Sequence, residues 1–113
     1  HADFLRPKFE ATLKVLEDEL TGLGIGTWSE PRGGYFISFD ALSGCAKAIV
    51  AKCKEAGVVL TNAGATFPYG KDPEDSNIRI APSFPTPEEM SEAAELFVLC
   101  VKLVSVEKLL ESK

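Results

Sequence analysis

Apolar residues recur at helical spacing in the first twenty positions of the chain. Phe9, Leu13, Leu16 and Leu20 are four, three and four residues apart, which predicts an amphipathic helix from about Arg6 to Leu20. Glycines occupy alternate positions from 22 to 26 directly after it, and glycine favours the left-handed conformation that ends a helix. Because phosphate-binding loops follow a strand and open a helix, we interpret this glycine run as a helix terminator.

Two later segments also have helical spacing. The second helix is predicted to begin at position 43 or 44, with Gly57 as its C-terminal cap. The third is predicted from Pro87 to about Glu111, with Thr86 at the N-cap and Glu89 three residues later. It would be roughly 37 Å long, and a single small domain cannot bury all of so long and apolar a helix. We therefore expect part of it to contact something else.

Four short segments between the helices are predicted to be strands: Ile25–Ser29, Gly34–Asp40, Val58–Thr61 and Asn77–Ala81. In the second of them, apolar residues alternate with mixed ones. One face carries Tyr35, Ile37 and Phe39, and the other carries Phe36, Ser38 and Asp40. The stretch from 62 to 76 is predicted to be a long loop, and loops of this length inside a compact domain are usually functional.

The predicted order is helix, two strands, helix, two strands and a long helix. Strands that are adjacent in sequence and joined by hairpins, with helices packed on one face, form an α+β fold. We therefore predict a small, mostly antiparallel sheet in a single domain over residues 1–113, since no repeat or linker divides the chain.

Composition excludes several kinds of chemistry. The only histidine is His1, so neither a Ser-His-Asp or Cys-His catalytic arrangement nor a His/Cys zinc site is expected. The three cysteines are widely spaced, without a C-x-x-C pair, which predicts buried free thiols and a reducing, cytoplasmic compartment. With 12 basic against 17 acidic residues and a net charge of −5, binding to nucleic acid or to an anionic membrane is not expected. No apolar run is long enough to span a bilayer.

Arg79 is the strongest candidate for chemistry. In an alternating strand Ile78 and Ile80 point to one face, so Arg79 lies on the other face, beside the long loop. An arginine in that position can bind a carboxylate through two parallel hydrogen bonds. It can equally well form a surface ion pair with the acidic residues of the loop, which are Asp72, Glu74 and Asp75. Position alone does not decide between the two.

The remaining residues identify no reaction. Lys71 lies among acidic neighbours, which indicates a solvated charge cluster rather than a nucleophilic lysine. The aromatic residues are more typical of a core than of a binding site: Phe36, Phe39, Phe67, Tyr69 and Phe84.

Three segments, Pro31–Ile37, Gly57–Phe67 and Asn77–Ser83, follow one another in this order along the chain. Together they resemble the C-terminal small domain of pyridoxal-phosphate-dependent aminotransferases of class I/II, fold type I. The loop sequence Thr66–Pro73 is similar to that of an aspartate-aminotransferase-like subgroup. The resemblance covers essentially the whole chain.

The resemblance implies that Arg79 binds the α-carboxylate of an amino-acid or 2-oxo-acid substrate. It also implies that Gly34 and Tyr35 approach the substrate pocket, and that the domain moves to close the active site. The full-length enzyme would transfer an amino group between an amino acid and a 2-oxo acid, with aspartate suggested by the subgroup. It would be a cytoplasmic homodimer that uses pyridoxal phosphate.

Such enzymes hold pyridoxal phosphate mainly in a large domain, which also carries the lysine that binds the cofactor. No lysine here fits the pattern of that residue. The resemblance therefore implies a large domain outside this chain, and an isolated chain that is inactive and has no catalytic, cofactor-binding or metal-binding residue. The alternative is a non-catalytic α+β module that binds an amino acid for regulation or serves as an interaction domain.

Overall fold

A computed structural model of the chain describes residues 2–30, 36–58, 61–63, 73–81 and 84–111. The elements follow the predicted order and confirm the α+β class. They are α1 (Ala2–Leu20), β1 (Gly26–Ser29), β2 (Ile37–Ala41), α2 (Ala46–Glu55), β3 (Thr61–Ala63), β4 (Asn77–Ile80) and α3 (Pro87–Glu111).

The sheet has the strand order β1-β2-β4-β3, and every neighbouring pair is antiparallel. The predicted pairing of sequence neighbours is confirmed for β1 with β2 and for β3 with β4. The two pairs join through β2 and β4, where Ser38 lies opposite Arg79. This junction makes β4, the strand that carries Arg79, one of the two central strands.

The core lies between one face of the sheet and the three helices. From the two central strands it receives four side chains that are at most 1% exposed: Ile37, Phe39, Ile78 and Ile80. The ring of Phe39 stacks on Trp28 at 6.2 Å between centroids and meets Phe97 of α3 edge-on at 5.1 Å. Because side chains alternate along a strand, residues 38, 40, 77 and 79 are left for the opposite face.

The helix ends confirm most of the predicted signals. Gly22 follows α1 with φ +84°, and Gly57 follows α2 with φ +87°, conformations that glycine adopts without strain. At the start of α3, the Thr86 hydroxyl accepts a hydrogen bond from the Glu89 N–H and donates one to the Glu89 carboxylate, both at 3.1 Å. The predicted boundaries of α3 are confirmed.

Several predicted boundaries are wrong. Helix α2 begins at Ala46 rather than at position 43 or 44, because Gly44 has φ +85° and cannot belong to a right-handed helix. Helix α1 starts at Ala2 rather than Arg6 and contains Pro7; so close to the N-terminus, the proline removes only one intrahelical hydrogen bond. The third strand is predicted over Val58–Thr61, but β3 is Thr61–Ala63 and Val58 is not in a strand. Residues 62 and 63 of the predicted loop therefore belong to β3, and its residues 64–72 lie outside the described residues. The Val58 N–H donates to the Cys53 carbonyl at 2.8 Å, because the last turn of α2 needs donors for its free carbonyls.

The predicted free thiols are confirmed, since Cys45, Cys53 and Cys100 are all buried and unpaired by disulfides. Among the helices that the structure describes, none has the length and apolar character needed to cross a bilayer.

Candidate functional site

Arg79 lies in the middle of β4, on the face of the sheet opposite to the helices. Its neighbours Ile78 and Ile80 are buried in the core, and strand alternation therefore turns Arg79 the other way. The strand pairing places Ser38 of β2 on one side of it and Asn62 of β3 on the other. The residue is half-buried. Its backbone is therefore held in the sheet while its side chain remains partly accessible.

An aromatic ring lies under the charge of Arg79. The guanidinium carbon is 4.2 Å from the ring centroid of Phe36, within the range of a cation–π contact. We predicted Phe36 as a core residue, and this is wrong: it is half-buried directly before β2, whereas Phe39 is in the core. The predicted alternation did group Phe36 with Ser38 and Asp40, but only the pairing of β2 with β4 brings its ring to Arg79.

A buried amide ties the two central strands together on the same face. Asn77 is 6% exposed, and its Nδ2 donates to the Ser38 hydroxyl at 3.0 Å and to the Asp40 carboxylate at 3.1 Å. Both donors of the amide are therefore satisfied, as a buried polar group requires. This network fixes the register of β2 against β4 two residues along the strand from Arg79. Apart from the shared face, nothing in the sequence indicated this network.

Two of the three acidic residues considered as ion-pair partners of Arg79 contact the start of α2. The Asp75 carboxylate accepts a hydrogen bond from the Lys47 N–H at 3.0 Å, and the Glu74 carboxylate accepts one from the Ser43 hydroxyl at 3.1 Å. Within the described ranges, no carboxylate lies within 4.0 Å of the Arg79 guanidinium. The third residue, Asp72, lies outside the described residues.

This arrangement suits the binding of a carboxylate. The ring of Phe36 contacts the guanidinium over its apolar surface, while the N–H groups at the edge of a guanidinium can donate two parallel hydrogen bonds to a carboxylate. Half-burial strengthens such a charged contact compared with bulk water. The described residues thus present a positioned cation without an anion of their own beside it.

Among the residues that the structure describes, neither an amine for a cofactor nor a set of metal ligands lies beside Arg79. Every lysine in the described ranges belongs to one of the three helices, which pack on the opposite face of the sheet. These ranges also contain no group of three or more His, Cys, Asp or Glu residues suited to a metal ion. The residues described here therefore do not fit a pyridoxal phosphate site of their own. Three sequence candidates, Gly34, Tyr35 and Lys71, lie outside the described residues.

Comparison with known proteins identifies the family. The model of the aspartate amino-transferase family matches residues 1–113. The chain belongs to this family. It is 45% identical over its whole length to an aminotransferase-assigned protein of Mycolicibacterium smegmatis, and 43% identical over 107 residues to an aspartate aminotransferase of Corynebacterium glutamicum.

The solved structures agree in fold. An aspartate transaminase of Corynebacterium glutamicum superposes on 96% of this chain with a TM-score of 0.88 and 42% sequence identity. The match covers 26% of that chain, and the two relatives above are matched over 26% and 25% of their lengths. The chain therefore spans about a quarter of the length of the relatives it matches, and the resemblance predicted from the sequence is confirmed.

Proposed function

We propose that this chain is the C-terminal small domain of a pyridoxal-phosphate-dependent aminotransferase and that Arg79 binds the α-carboxylate of its substrate. The supporting observation is the position of Arg79: central in the sheet, stacked on Phe36 and without a carboxylate partner among the described residues. Membership of the aspartate amino-transferase family supports the reaction class. The substrates in this proposal are an amino acid and a 2-oxo acid.

A carboxylate clamp contributes to transamination by orientation. Two parallel hydrogen bonds fix the direction of the substrate, so that its Cα–H bond is held at one angle to the cofactor and less rotational freedom is lost in reaching the transition state. The stacked ring of Phe36 and the Asn77 network would hold the arginine before substrate arrives. In this proposal the chain positions substrate and closes the site, and Gly34 and Tyr35 line the same pocket.

The cofactor belongs to another part of the full-length enzyme in this proposal. Pyridoxal phosphate supplies the electron sink for the reaction, and the described residues offer no amine on the Arg79 face with which to hold it. Aspartate as the amino donor is supported by the 43% identical relative, which is an aspartate aminotransferase. A cytoplasmic location is supported by three buried free thiols, while the homodimer rests on the resemblance alone.

The proposal is tested by substituting Arg79 in the full-length enzyme. Arg79→Ala removes both hydrogen bonds and the charge, and we expect kcat/KM for the amino acid to fall about 100-fold, equivalent to about 3 kcal/mol. Arg79→Lys keeps the charge but not the planar fork, so a loss of about tenfold is expected. Steady-state kinetics and a separate cofactor-binding titration distinguish lost substrate binding from lost cofactor.

A matched control is available at Arg6, which is ion-paired with Glu30 on another part of the chain. Arg6→Ala should leave kcat/KM unchanged. A companion variant, Phe36→Leu, should raise KM three- to fivefold by removing the cation–π contact, worth about 0.5–1 kcal/mol. If Arg79→Ala matched Arg6→Ala in its kinetics, Arg79 would not be the carboxylate-binding residue.

A further inference from the structure

The outward side of α3 carries a continuous apolar stripe, called here the α3 stripe. Its five side chains recur at alternating spacings of three and four residues and are 39% to 61% exposed: Leu96, Leu99, Leu103, Val106 and Leu110. The opposite side of the same helix is buried in the core. A helix that is apolar all round is normally covered on all sides, and a contiguous exposed apolar patch marks an interaction surface.

The spacing of the α3 stripe indicates what kind of structure would cover it. From Leu96 to Leu110 the stripe covers four helical turns, about 21 Å at the rise of an α-helix. Alternation of three and four residues is the pattern with which two helices interdigitate at a shallow crossing angle. The stripe therefore fits the apolar side of a second helix of about the same length.

Acidic residues flank the first turns of the α3 stripe. A cavity of about 550 Å³ opens there, lined by Glu19, Glu92, Glu95, Leu96, Val98, Leu99 and Lys102. The Lys102 ammonium donates to the Glu19 carboxylate at 3.0 Å, so these two charges offset each other. Glu92 and Glu95 form no ion pair within 4.0 Å in the part of the chain that the structure describes, and they leave this end negatively charged.

That charge argues against a second copy of the chain as the occupant. In a parallel two-fold pairing, Glu92 and Glu95 would meet the same residues of the other copy. In an antiparallel pairing centred on Leu103, Glu95 would lie across from Glu111. Like charges at these positions repel, whereas lysine or arginine from a different helix would be attracted.

We propose that the α3 stripe docks a basic amphipathic helix from outside this chain. The partner helix presents apolar side chains at three-four spacing to the stripe and places a lysine or arginine against Glu92 and Glu95. Leu99 and Leu103, at the middle of the stripe, form the centre of the contact. This inference is independent of the role proposed for Arg79.

The test uses two synthetic helical peptides, each three heptads long, with leucines at three-four spacing. One carries lysines beside the leucines and the other carries glutamates at the same positions. Titrated into the chain, the lysine peptide should bind at least tenfold more tightly, with amide shift changes confined to residues 92–110. In the double variant E92K/E95K the preference should reverse in favour of the glutamate peptide.

Matched variants distinguish specific docking on the α3 stripe from non-specific hydrophobic binding. L99Q/L103Q should lose at least tenfold in affinity for the lysine peptide, and L23Q should lose nothing, although Leu23 is as exposed as Leu99. Circular dichroism melting confirms that each variant is folded. The proposal is overturned if the charge reversal leaves the peptide preference unchanged. It is equally overturned if sedimentation shows a dimer of the chain that L99Q/L103Q dissociates, because the occupant is then a second copy.

Discussion

Cys53 of α2 and Cys100 of α3 show how burial in this fold changes the ionisation of a single side chain. Both thiols are buried, at 0% and 4% exposure, and they contact each other across the interface of the two helices. Burial raises the pKa of Cys53 from its ordinary value of 9.0 to about 12, and the neighbouring Cys100 thiol adds to the rise. The folded state thus holds a proton that the unfolded chain releases near pH 9.

This difference predicts a loss of stability at alkaline pH. Between pH 9 and about 12 the unfolded state binds fewer protons than the folded one at Cys53, so the free energy of unfolding should fall as pH rises. The slope from one such group is about 1.4 kcal/mol per pH unit. Urea unfolding at pH 8 to 11 should show a shallower decline in Cys53→Ala than in the unaltered chain.

Val50→Ala provides the control for the cavity that Cys53→Ala creates, because Val50 lies on the same helix and packs against the same core. It should lower stability at every pH without changing the slope. An identical slope in Cys53→Ala and the unaltered chain would mean that this thiol ionises as readily in the folded state as in the unfolded one.

At the scale of elements, α2 takes its N-terminal cap from a segment about thirty residues further along the chain. The Cys45 side chain at the N-cap accepts no hydrogen bond from the first turn of α2. Instead, the Asp75 carboxylate accepts from the Lys47 N–H at 3.0 Å, and the Asp75 carbonyl accepts from the Ala46 N–H at 2.8 Å. Asp75 adopts φ +50° to do so, a left-handed conformation that Asp and Asn tolerate better than most residues.

Substitutions of Asp75 should distinguish the contribution of its capping hydrogen bond to stability from that of its negative charge. Asp75→Ala removes the carboxylate acceptor and places an unsuited residue at positive φ, so we expect a loss of about 1–2 kcal/mol in the free energy of unfolding. Asp75→Asn keeps an acceptor oxygen and tolerates the same φ, and it should stay within about 0.5 kcal/mol. Urea denaturation of both variants checks this, and equal losses would show that the charge matters rather than the cap.

The elements that local signals define were predictable from the sequence. Thr86 and Glu89 bound α3 as expected, because a capping box needs only residues three positions apart. The start of β3 was not predictable, because the Val58 N–H is used by the last turn of α2. The contact of Phe36 with Arg79 was also not predictable from the sequence, because it depends on the register between two strands that are about forty residues apart.

At the scale of the whole molecule, one face of the sheet is buried in the core and the other carries Arg79. All three helices pack on the buried face. Every described lysine is on a helix, so the cation that would bind substrate and the amines that could bind a cofactor lie on opposite sides. The chain spans about a quarter of the length of its relatives. The division between the two faces supports the proposal that Arg79 binds substrate as part of a larger enzyme.

The division of the faces predicts how the isolated chain responds to pyridoxal phosphate. A lysine reacts selectively when neighbouring groups anchor the phosphate and the ring, and no described lysine lies in such a setting. After incubation with pyridoxal phosphate and reduction with borohydride, peptide mass spectrometry should find low labelling spread over exposed lysines. Lys14 and Lys102 are both ion-paired, with Asp18 and Glu19 respectively, but the Lys14 side chain is 77% exposed and that of Lys102 is 37% exposed. Lys14 should therefore be labelled more. Stoichiometric labelling of one lysine would show that this chain holds a cofactor site of its own, and the proposed division of labour with another domain would be wrong.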